Sequence, residues 1–176
     1  MRRLPYFLFL LSCGQPDGPE MVVGEVCDFP KERDVGCVVD GDTFDIALAG
    51  GSDCGGSAER VRMLGIDAPE LSSNDCYADT ASEALADLID GREVELTFDV
   101  DCTDVYGRTL AYVYLTDPWE EGDTEEVLFV NEWMLEQGYA ELYDEDFADD
   151  IRQMDTLAAA ESRAQSGGKG LWGDCR

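Results

Sequence analysis

Apolar and polar residues alternate along several short stretches of the chain, and this pattern predicts β-strands. Residues 37–48 contain two β-rich pieces around residues 40–42, which predicts two strand segments separated by a turn or bulge. Residues 60–66 predict the next strand, which has to end before Pro69 because proline cannot donate a hydrogen bond within a central ladder. Further strands are predicted over residues 93–100, 109–115 and, after a hairpin, 127–130.

Three other stretches have the spacing of helices. Between residues 78 and 89, apolar side chains recur every three to four positions, and Gly91 is a suitable stop. Two more helices are predicted over residues 131–137 and 147–165, each followed by glycine. Strands and helices do not alternate regularly, which favours an α+β, mainly β fold: a small antiparallel barrel with helices packed outside it.

The first residues have the pattern of an export signal rather than of a folded element. Two arginines precede the apolar run 4–11, which is too short to span a bilayer, and Ser12 and Cys13 follow. We interpret residues 1–12 as a lipoprotein-type signal peptide, residues 13–35 as the lipidated Cys13 and a tether, and residues 36–176 as one folded domain. The alternative is an ordinary secretory signal with a free Cys13. Both predict an exported monomer, either an envelope lipoprotein held only by its lipid anchor or an extracellular protein, without a transmembrane helix.

The remaining cysteines are even in number, which suggests three disulfides in an exported chain. Six cysteines allow 15 pairings, and the sequence does not choose among them. A metal–thiolate site is the competing interpretation, but the chain has no histidine and no Cys-x-x-Cys pair. The six residues are Cys27, Cys37, Cys54, Cys76, Cys102 and Cys175.

The charge of the chain argues against a polyanionic partner. Its 40 acidic residues and 12 basic residues give a formal net charge of −28. Such a surface repels nucleic acid at low salt. Adaptation to a salty environment is the other explanation, because salt screens this field within a few ångströms.

A few charged residues nevertheless form a chemically coherent set. Asp42, Asp67 and Glu70 lie at predicted strand ends, where together they would make an all-oxygen site for a hard cation such as Ca²⁺. Arg62 and Arg108 are scarce guanidinium groups of the kind that grip a phosphate in two places. Each acid also has an ordinary structural explanation as a turn former, a strand-end cap or an exposed charge, and each arginine could simply pair with a neighbouring acid.

A second acidic group, Asp99, Asp101 and Asp104, begins like a calcium loop. Leu110 stands where an EF-hand needs its bidentate glutamate, so the group is interpreted as a solvated loop.

Three segments together resemble the staphylococcal nuclease (thermonuclease) family. They are residues 39–43 (VDGDT), 62–70 (RMLGIDAPE) and 104–108 (DVYGR), and weaker similarities extend to residue 172. The resemblance implies a five-stranded OB-like barrel with three helices, and a Ca²⁺-dependent endo- and exonuclease activity on DNA and RNA that leaves 3′-phosphates.

The resemblance also implies roles for individual residues. Asp42 and Asp67 would bind calcium together with the backbone carbonyl of Ala68, and Asp40 would support them without touching the metal. Glu70 would act as general base or orient the attacking water, and Arg62 and Arg108 would hold the phosphate. Tyr106 and Tyr143 are the candidates for contact with the nucleotide. Val105 stands where the well-known relative has a lysine.

Two functions from different classes follow. The first is a secreted calcium-dependent nuclease with nucleic acid as its substrate. The second is a catalytically weak or inactive barrel that serves as a surface binding or adhesion module. The combination of two arginines with three carboxylates favours the first, and the net charge favours the second.

Overall fold

The computed structural model describes residues 27–47, 59–116, 127–143 and 151–175. Strands alternate with a few helices in an irregular order, as the sequence predicts. The strands are β1 (Glu32–Val38), β2 (Thr43–Ile46), β3 (Arg60–Met63), β4 (Ile66–Asp67), β5 (Glu93–Thr97), β6 (Thr109–Leu115), β7 (Leu128–Phe129) and β8 (Glu141–Leu142). The helices are α1 (Ala78–Ile89), α2 (Val130–Gln137), α3 (Met154–Gly167) and α4 (Leu171–Asp174), and a 3₁₀ turn covers Leu71–Ser73.

Five of the strands close into a barrel, which confirms the predicted fold class. Their order is β3-β2-β1-β5-β6, with antiparallel neighbours, and a parallel pairing of β3 with β6 closes the ring. In that pairing Arg62 lies opposite Leu110. Closure therefore brings the strand that carries Arg62 beside the strand that starts directly after Arg108.

The interior of the barrel is apolar and continues into the helices. Phe44, Met63 and Leu96 are fully buried within it, and Leu85 of α1 and Leu157 of α3 pack against the same cluster. The alternation of buried and exposed positions along β1 and β5 explains why these segments form strands: one face enters the core and the other faces solvent.

The folded domain begins earlier than residue 36. β1 starts at Glu32, and Val35 is buried in the core, so part of the segment assigned to a tether belongs to the barrel. Cys27 is buried as well. The earlier part of that segment, and the predicted signal, lie outside the described residues.

Two helix and strand boundaries also differ from the prediction. The strand predicted over residues 93–100 ends at Thr97. The last long helix starts at Met154 rather than at residue 147; residues 151–153 precede it as a turn, and residues 147–150 lie outside the described part. The turn is held because the backbone N–H of Arg152 donates to Asp99 and that of Gln153 to the Tyr112 hydroxyl.

Disulfides join distant parts of the chain. Cys27 pairs with Cys102, Cys76 pairs with Cys175, and Cys37 is also disulfide-bonded. The expectation of disulfides is thereby confirmed for these cysteines, whereas Cys13 and Cys54 lie outside the described residues. Within the described ranges, no helix combines the length and apolar character needed to cross a membrane.

Candidate active site

Asp42 lies at the start of β2, buried beneath the surface with only 5% of its area exposed. Its Oδ1 accepts a hydrogen bond from the Thr43 hydroxyl at 2.9 Å, and its Oδ2 accepts one from the backbone N–H of Ala68 at 2.8 Å. Asp40 supports the turn, because its Oδ1 accepts the Asp42 N–H at 3.1 Å. The structure thus holds Asp42 in one orientation and ties the turn to the segment after β4.

Gly41 allows this close approach. A Cβ atom at residue 41 would lie 2.6 Å from the Cβ of Ala68 and 2.9 Å from that of Ala81. Any side chain would therefore push the turn away from both the Ala68 segment and α1, and would separate Asp42 from its donors.

Arg62 on β3 connects the carboxylates of the site. Its Nη2 lies 3.2 Å from Asp42 and 2.8 Å from Asp67, while Nη1 donates to the carbonyl oxygens of Met63 and Ile66. Only 13% of its side chain is exposed. The sequence left open whether this arginine pairs with neighbouring acids, and the structure shows that it does.

The electrostatics of the site follow from this burial. Burial raises the pKa of Asp42 to about 7; Arg62 opposes the shift and the charge of Asp40 adds to it. Burial also raises the pKa of Asp67, again against the effect of Arg62. At both carboxyl groups the loss of hydration outweighs the attraction of the Arg62 guanidinium.

Asp67 and Glu70 stand on either side of Pro69, where the chain leaves β4. The side chain of Asp67 is 56% exposed, and Glu70 is exposed at the start of the 3₁₀ turn. Both residues line the same open space.

That space is a cavity of about 270 Å³ beside the barrel. Its lining brings together most of the residues predicted from the sequence: Arg62, Asp67, Glu70, Arg108 and Tyr143. Asp42 and Ala68 do not line it, although Asp42 contacts Arg62. The Arg62 guanidinium is 5.9 Å from the ring centre of Tyr143.

Arg108 reaches the cavity from the turn before β6. Its Nε donates to Asp104 at 2.5 Å, and its guanidinium lies 5.6 Å from the ring centre of Tyr106. Tyr106 is 82% exposed and does not line the cavity. Within the described part of the chain, Nε is the only guanidinium nitrogen of Arg108 with a hydrogen bond, so both Nη groups remain available to an anion.

Asp104, which the sequence analysis assigned to a solvated loop, lines the cavity and contacts Arg108. Its Oδ1 accepts hydrogen bonds from the backbone N–H groups of Tyr106 and Arg108, both at 2.9 Å, and this stabilises the turn. Its Oδ2 accepts the hydrogen bond from Arg108 Nε, so the same side chain also orients the guanidinium. Burial alone would raise the pKa of this carboxyl, but the hydrogen bonds from Arg108 outweigh it and lower the pKa. The sequence feature that could have indicated this pairing is the four-residue spacing of Asp104 and Arg108 around a glycine turn.

For the phosphodiester cleavage that the family resemblance implies, replacing Asp104 by asparagine is expected to lower kcat/KM about tenfold, the cost of losing one charged hydrogen bond. Asparagine keeps an acceptor for the two backbone donors but presents an NH₂ group to Arg108 Nε, so the guanidinium loses its position while the turn remains. Asp101→Asn is the matched control, because Asp101 is an exposed acid that lines the same cavity. Equal rates in the two variants would contradict the role given to Asp104.

The solvated-loop interpretation is also wrong for Asp99, which is buried. It is 5% exposed, accepts a hydrogen bond of 2.6 Å from the Tyr112 hydroxyl, and pairs with Arg152 Nε at 3.1 Å. It joins the end of β5, the middle of β6 and the turn before α3. Its role is to hold one wall of the cavity, which an acidic loop pattern alone does not reveal.

The donor set is suited to a hard cation. Asp42, Asp67 and the Ala68 carbonyl were predicted as ligands and supply oxygen only, which is the preference of Ca²⁺. Among the described residues, no three acidic, cysteine or histidine side chains are grouped closely enough to chelate a metal. A metal held by two carboxylates and one backbone carbonyl would need water or substrate to complete its coordination.

Comparison with known proteins places this arrangement in a family. The sequence profile described as "Staphylococcal nuclease homologue" matches residues 60–174. A thermonuclease of Staphylococcus intermedius is 39% identical over 84 residues, which cover 46% of this chain and 46% of that protein.

Two further relatives extend the match. The SPbeta prophage-derived endonuclease YokF of Bacillus subtilis (strain 168) is 31% identical over 153 residues, covering 84% of this chain and 45% of that protein. A probable staphylococcal-like nuclease, CAN1, of Oryza sativa subsp. japonica is 35% identical over 118 residues, covering 66% of this chain and 30% of that protein. The chain spans less than half the length of each of these three relatives. With a barrel of the expected form and a profile match over well more than half of its length, the chain belongs to the staphylococcal nuclease homologue family.

Proposed function

We propose that this protein is a calcium-dependent nuclease that hydrolyses the phosphodiester bonds of DNA and RNA by in-line attack of water and leaves 3′-phosphates. The observation that carries the proposal is the convergence of Arg62 and Arg108 on one cavity that also exposes Asp67 and Glu70. A phosphodiester needs cationic donors for its oxygens and a base for the water, and these four side chains supply both.

Asp42, Asp67 and the Ala68 carbonyl would hold the calcium ion. When bound, such an ion polarises a phosphoryl oxygen and stabilises the charge that develops on it. The residues of this chain that surround the cavity would bind the phosphate and activate the water.

The arginines would hold the phosphate in the cavity. The two Nη groups of Arg108 have no partner among the described residues, and their planar fork suits two phosphate oxygens. Arg62, held by the carbonyl oxygens of Met63 and Ile66, would approach from the other side with its orientation already set. The substrate would then lose little entropy in reaching its reactive position.

Glu70 would act on the attacking water. Its carboxylate is exposed in the cavity, where it can accept a proton from water as the new P–O bond forms. In-line geometry places the 5′ oxygen opposite the attacking water, and this oxygen leaves with its electron pair and takes up a proton.

We further propose that the protein acts outside the cytoplasm. The pattern of residues 1–12, with Cys13 as a lipidated residue, supports a signal peptide and an envelope anchor. The disulfides favour an oxidising compartment. The acidic surface then suits a medium in which salt screens repulsion between protein and substrate.

Cleavage of plasmid DNA is expected to require added Ca²⁺ and to tolerate or need high salt. The test compares Ca²⁺ with a chelator over a salt series, with single-stranded RNA as a second substrate and end-group analysis of the products. Calcium binding is followed separately by the shift in melting temperature, which should be lost in Asp67→Asn.

The absence of cleavage at every salt concentration would refute the proposed nuclease activity. It would favour the second candidate, a binding module of the same fold, which the net charge of −28 supports. Cleavage that persists unchanged in the chelator would instead refute the metal requirement alone.

A further inference from the structure

The segment that follows Glu70 is held by few contacts of its own. Residues 71–76 are all exposed, and the turn Leu71–Ser73 buries none of its residues. Asn74 and Tyr77 have φ angles of 55° and 76°, a left-handed conformation that is unfavourable for residues with a Cβ. The ends of the segment therefore have to impose its conformation.

The two ends are fixed by different means. Before Glu70, the Ala68 N–H donates to the buried Asp42 carboxylate at 2.8 Å. After it, Cys76 forms a disulfide with Cys175, which lies 99 positions further along the chain and directly after α4. The second link is covalent and depends on the oxidation state of two sulfur atoms.

Asp75 connects this disulfide to Glu70. The Glu70 N–H donates to the Asp75 carboxylate at 3.3 Å, and the Asp75 N–H donates to the Glu70 carbonyl at 3.2 Å. Because Asp75 directly precedes Cys76, the backbone of Glu70 is placed by a residue that the disulfide holds.

Noncovalent contacts hold the segment at its C-terminal end, where Tyr77 stacks on Tyr139 and the Ala78 N–H donates to the Asp75 carbonyl, but residues 71–76 themselves are not packed. A cavity of about 350 Å³ lies between the segment and the residues of β8 and α4, and its lining includes Glu70, Cys76, Glu141, Leu171 and Cys175. Without tightly packed side chains beneath it, the segment gains little from burial. The Cys76–Cys175 bond is the covalent connection across this space.

The same bond is open to small thiols. Cys76 is exposed and Cys175 is half-buried, whereas in the other described pair Cys27 is only 6% exposed and Cys102 is half-buried. Thiol–disulfide exchange requires access of the attacking thiolate to a sulfur atom. A dithiol should therefore reduce Cys76–Cys175 before Cys27–Cys102.

We propose that the Cys76–Cys175 disulfide positions Glu70, so that the protein turns over substrate in its oxidised form and loses most of its turnover when this bond is reduced. The inference rests on the proposed function of Glu70. A thiolate of the dithiol attacks one sulfur and breaks the S–S bond to form a mixed disulfide. The second thiolate of the dithiol then attacks the reductant's own sulfur in this mixed disulfide and releases the protein thiolate. The reductant is oxidised to its disulfide, and Cys76 and Cys175 take up two electrons and two protons as thiols.

This arrangement would separate synthesis from activity. A chain in a compartment rich in reducing thiols would carry an incompletely ordered site, and oxidation after export would complete it. Nucleic acid of the producing cell would thus be exposed to a weaker enzyme.

The test measures kcat and KM with Ca²⁺ for the oxidised protein, for protein treated with dithiothreitol, and for Cys76→Ser/Cys175→Ser. Mass analysis after alkylation identifies which disulfide is open. We expect kcat to fall at least about tenfold, KM to change less than about twofold, and reoxidation of the wild-type protein to restore kcat. Thermal melting establishes that each form is folded at the assay temperature.

Glu70→Gln distinguishes positioning from general destabilisation. If the disulfide acts through Glu70, its reduction should leave the residual rate of Glu70→Gln unchanged. An equal loss in the wild-type protein and in Glu70→Gln would overturn the proposal, and so would an unchanged kcat in the reduced wild-type protein.

Amide hydrogen exchange gives a readout that does not depend on activity. Reduction should speed exchange in residues 70–77 and leave β5 and β6 unaffected. Unchanged exchange would overturn the positioning role even in a catalytically active protein. Conversely, an oxidised protein with no nuclease activity but with faster exchange on reduction would refute the proposed function and keep the positioning role.

Discussion

Glu70→Gln is expected to lower kcat by about a hundredfold to ten-thousandfold, the usual contribution of a general base. Glutamine has nearly the same shape, so KM should change little, but it cannot take a proton from the attacking water. The Glu70 side chain is exposed and has no hydrogen bond with the described residues, so the free energy of unfolding should change by less than about 0.5 kcal/mol. Single-turnover cleavage with Ca²⁺ and chemical denaturation measure the two quantities.

Glu83→Gln is the matched control for this variant. Glu83 is exposed on α1, and the substitution changes the net charge by the same amount. A change in the long-range field would affect both variants alike, whereas loss of the base affects only Glu70→Gln. Near wild-type turnover in Glu70→Gln would show that a different group activates the water.

The sequence predicted those parts of the fold that depend on local pattern. Helix α1 has the predicted bounds, since its apolar spacing and the following Gly91 define both its face and its end. Strand β6 also has the predicted bounds. The strand predicted from residue 93 stops at Thr97, because Asp99 is used to hold Tyr112 and the turn before α3, and a contact of this kind has no local signature.

In the candidate site, too, residues with a local sequence signal were predicted and residues that depend on tertiary contacts were not. Asp42, Asp67 and Arg62 were predicted from strand ends and from the scarcity of arginine, and the structure places them in contact. Asp104 was missed because an acid in an acidic loop looks like surface charge until its hydrogen bonds to Arg108 are known. The closing pair of β3 and β6 is equally invisible in sequence, although it sets the distance between the two arginines.

The pairing of both arginines with acids does not weaken the proposal for a nuclease. Taking a charge out of water costs free energy that its ion pairs only partly offset, so a buried ion pair is weak evidence that an arginine is kept for stability alone. Arg62 is 13% exposed and spans two carboxylates and two carbonyl oxygens, which orients it at the edge of a cavity. The same contacts that stabilise the fold therefore also pre-organise the guanidinium.

Arg62→Gln is accordingly expected to affect stability and catalysis together. Removing one partner of a buried ion pair costs about 3–5 kcal/mol, because Asp42, whose pKa is already raised to about 7, would have to keep a poorly compensated charge or take up a proton. The rate of phosphodiester cleavage should fall as well, since one side of the phosphate loses its donor. Denaturant unfolding in chelator measures the first effect, and cleavage with Ca²⁺ at a temperature where the variant is folded measures the second.

Arg163→Gln is the control for Arg62→Gln, since Arg163 pairs with Glu132 and Glu136 at the surface, where ion pairs contribute little to stability. The double variant Asp42→Asn/Arg62→Gln separates the two causes of the loss. Asparagine removes the charge that Arg62 compensates but keeps an acceptor for Thr43 and Ala68, so the double variant should be more stable than Arg62→Gln alone. Cleavage should stay low in both, because neither restores the guanidinium. If the two substitutions instead destabilise additively, Arg62 holds the fold through Met63 and Ile66 alone, and its ion pair with Asp42 has no energetic role.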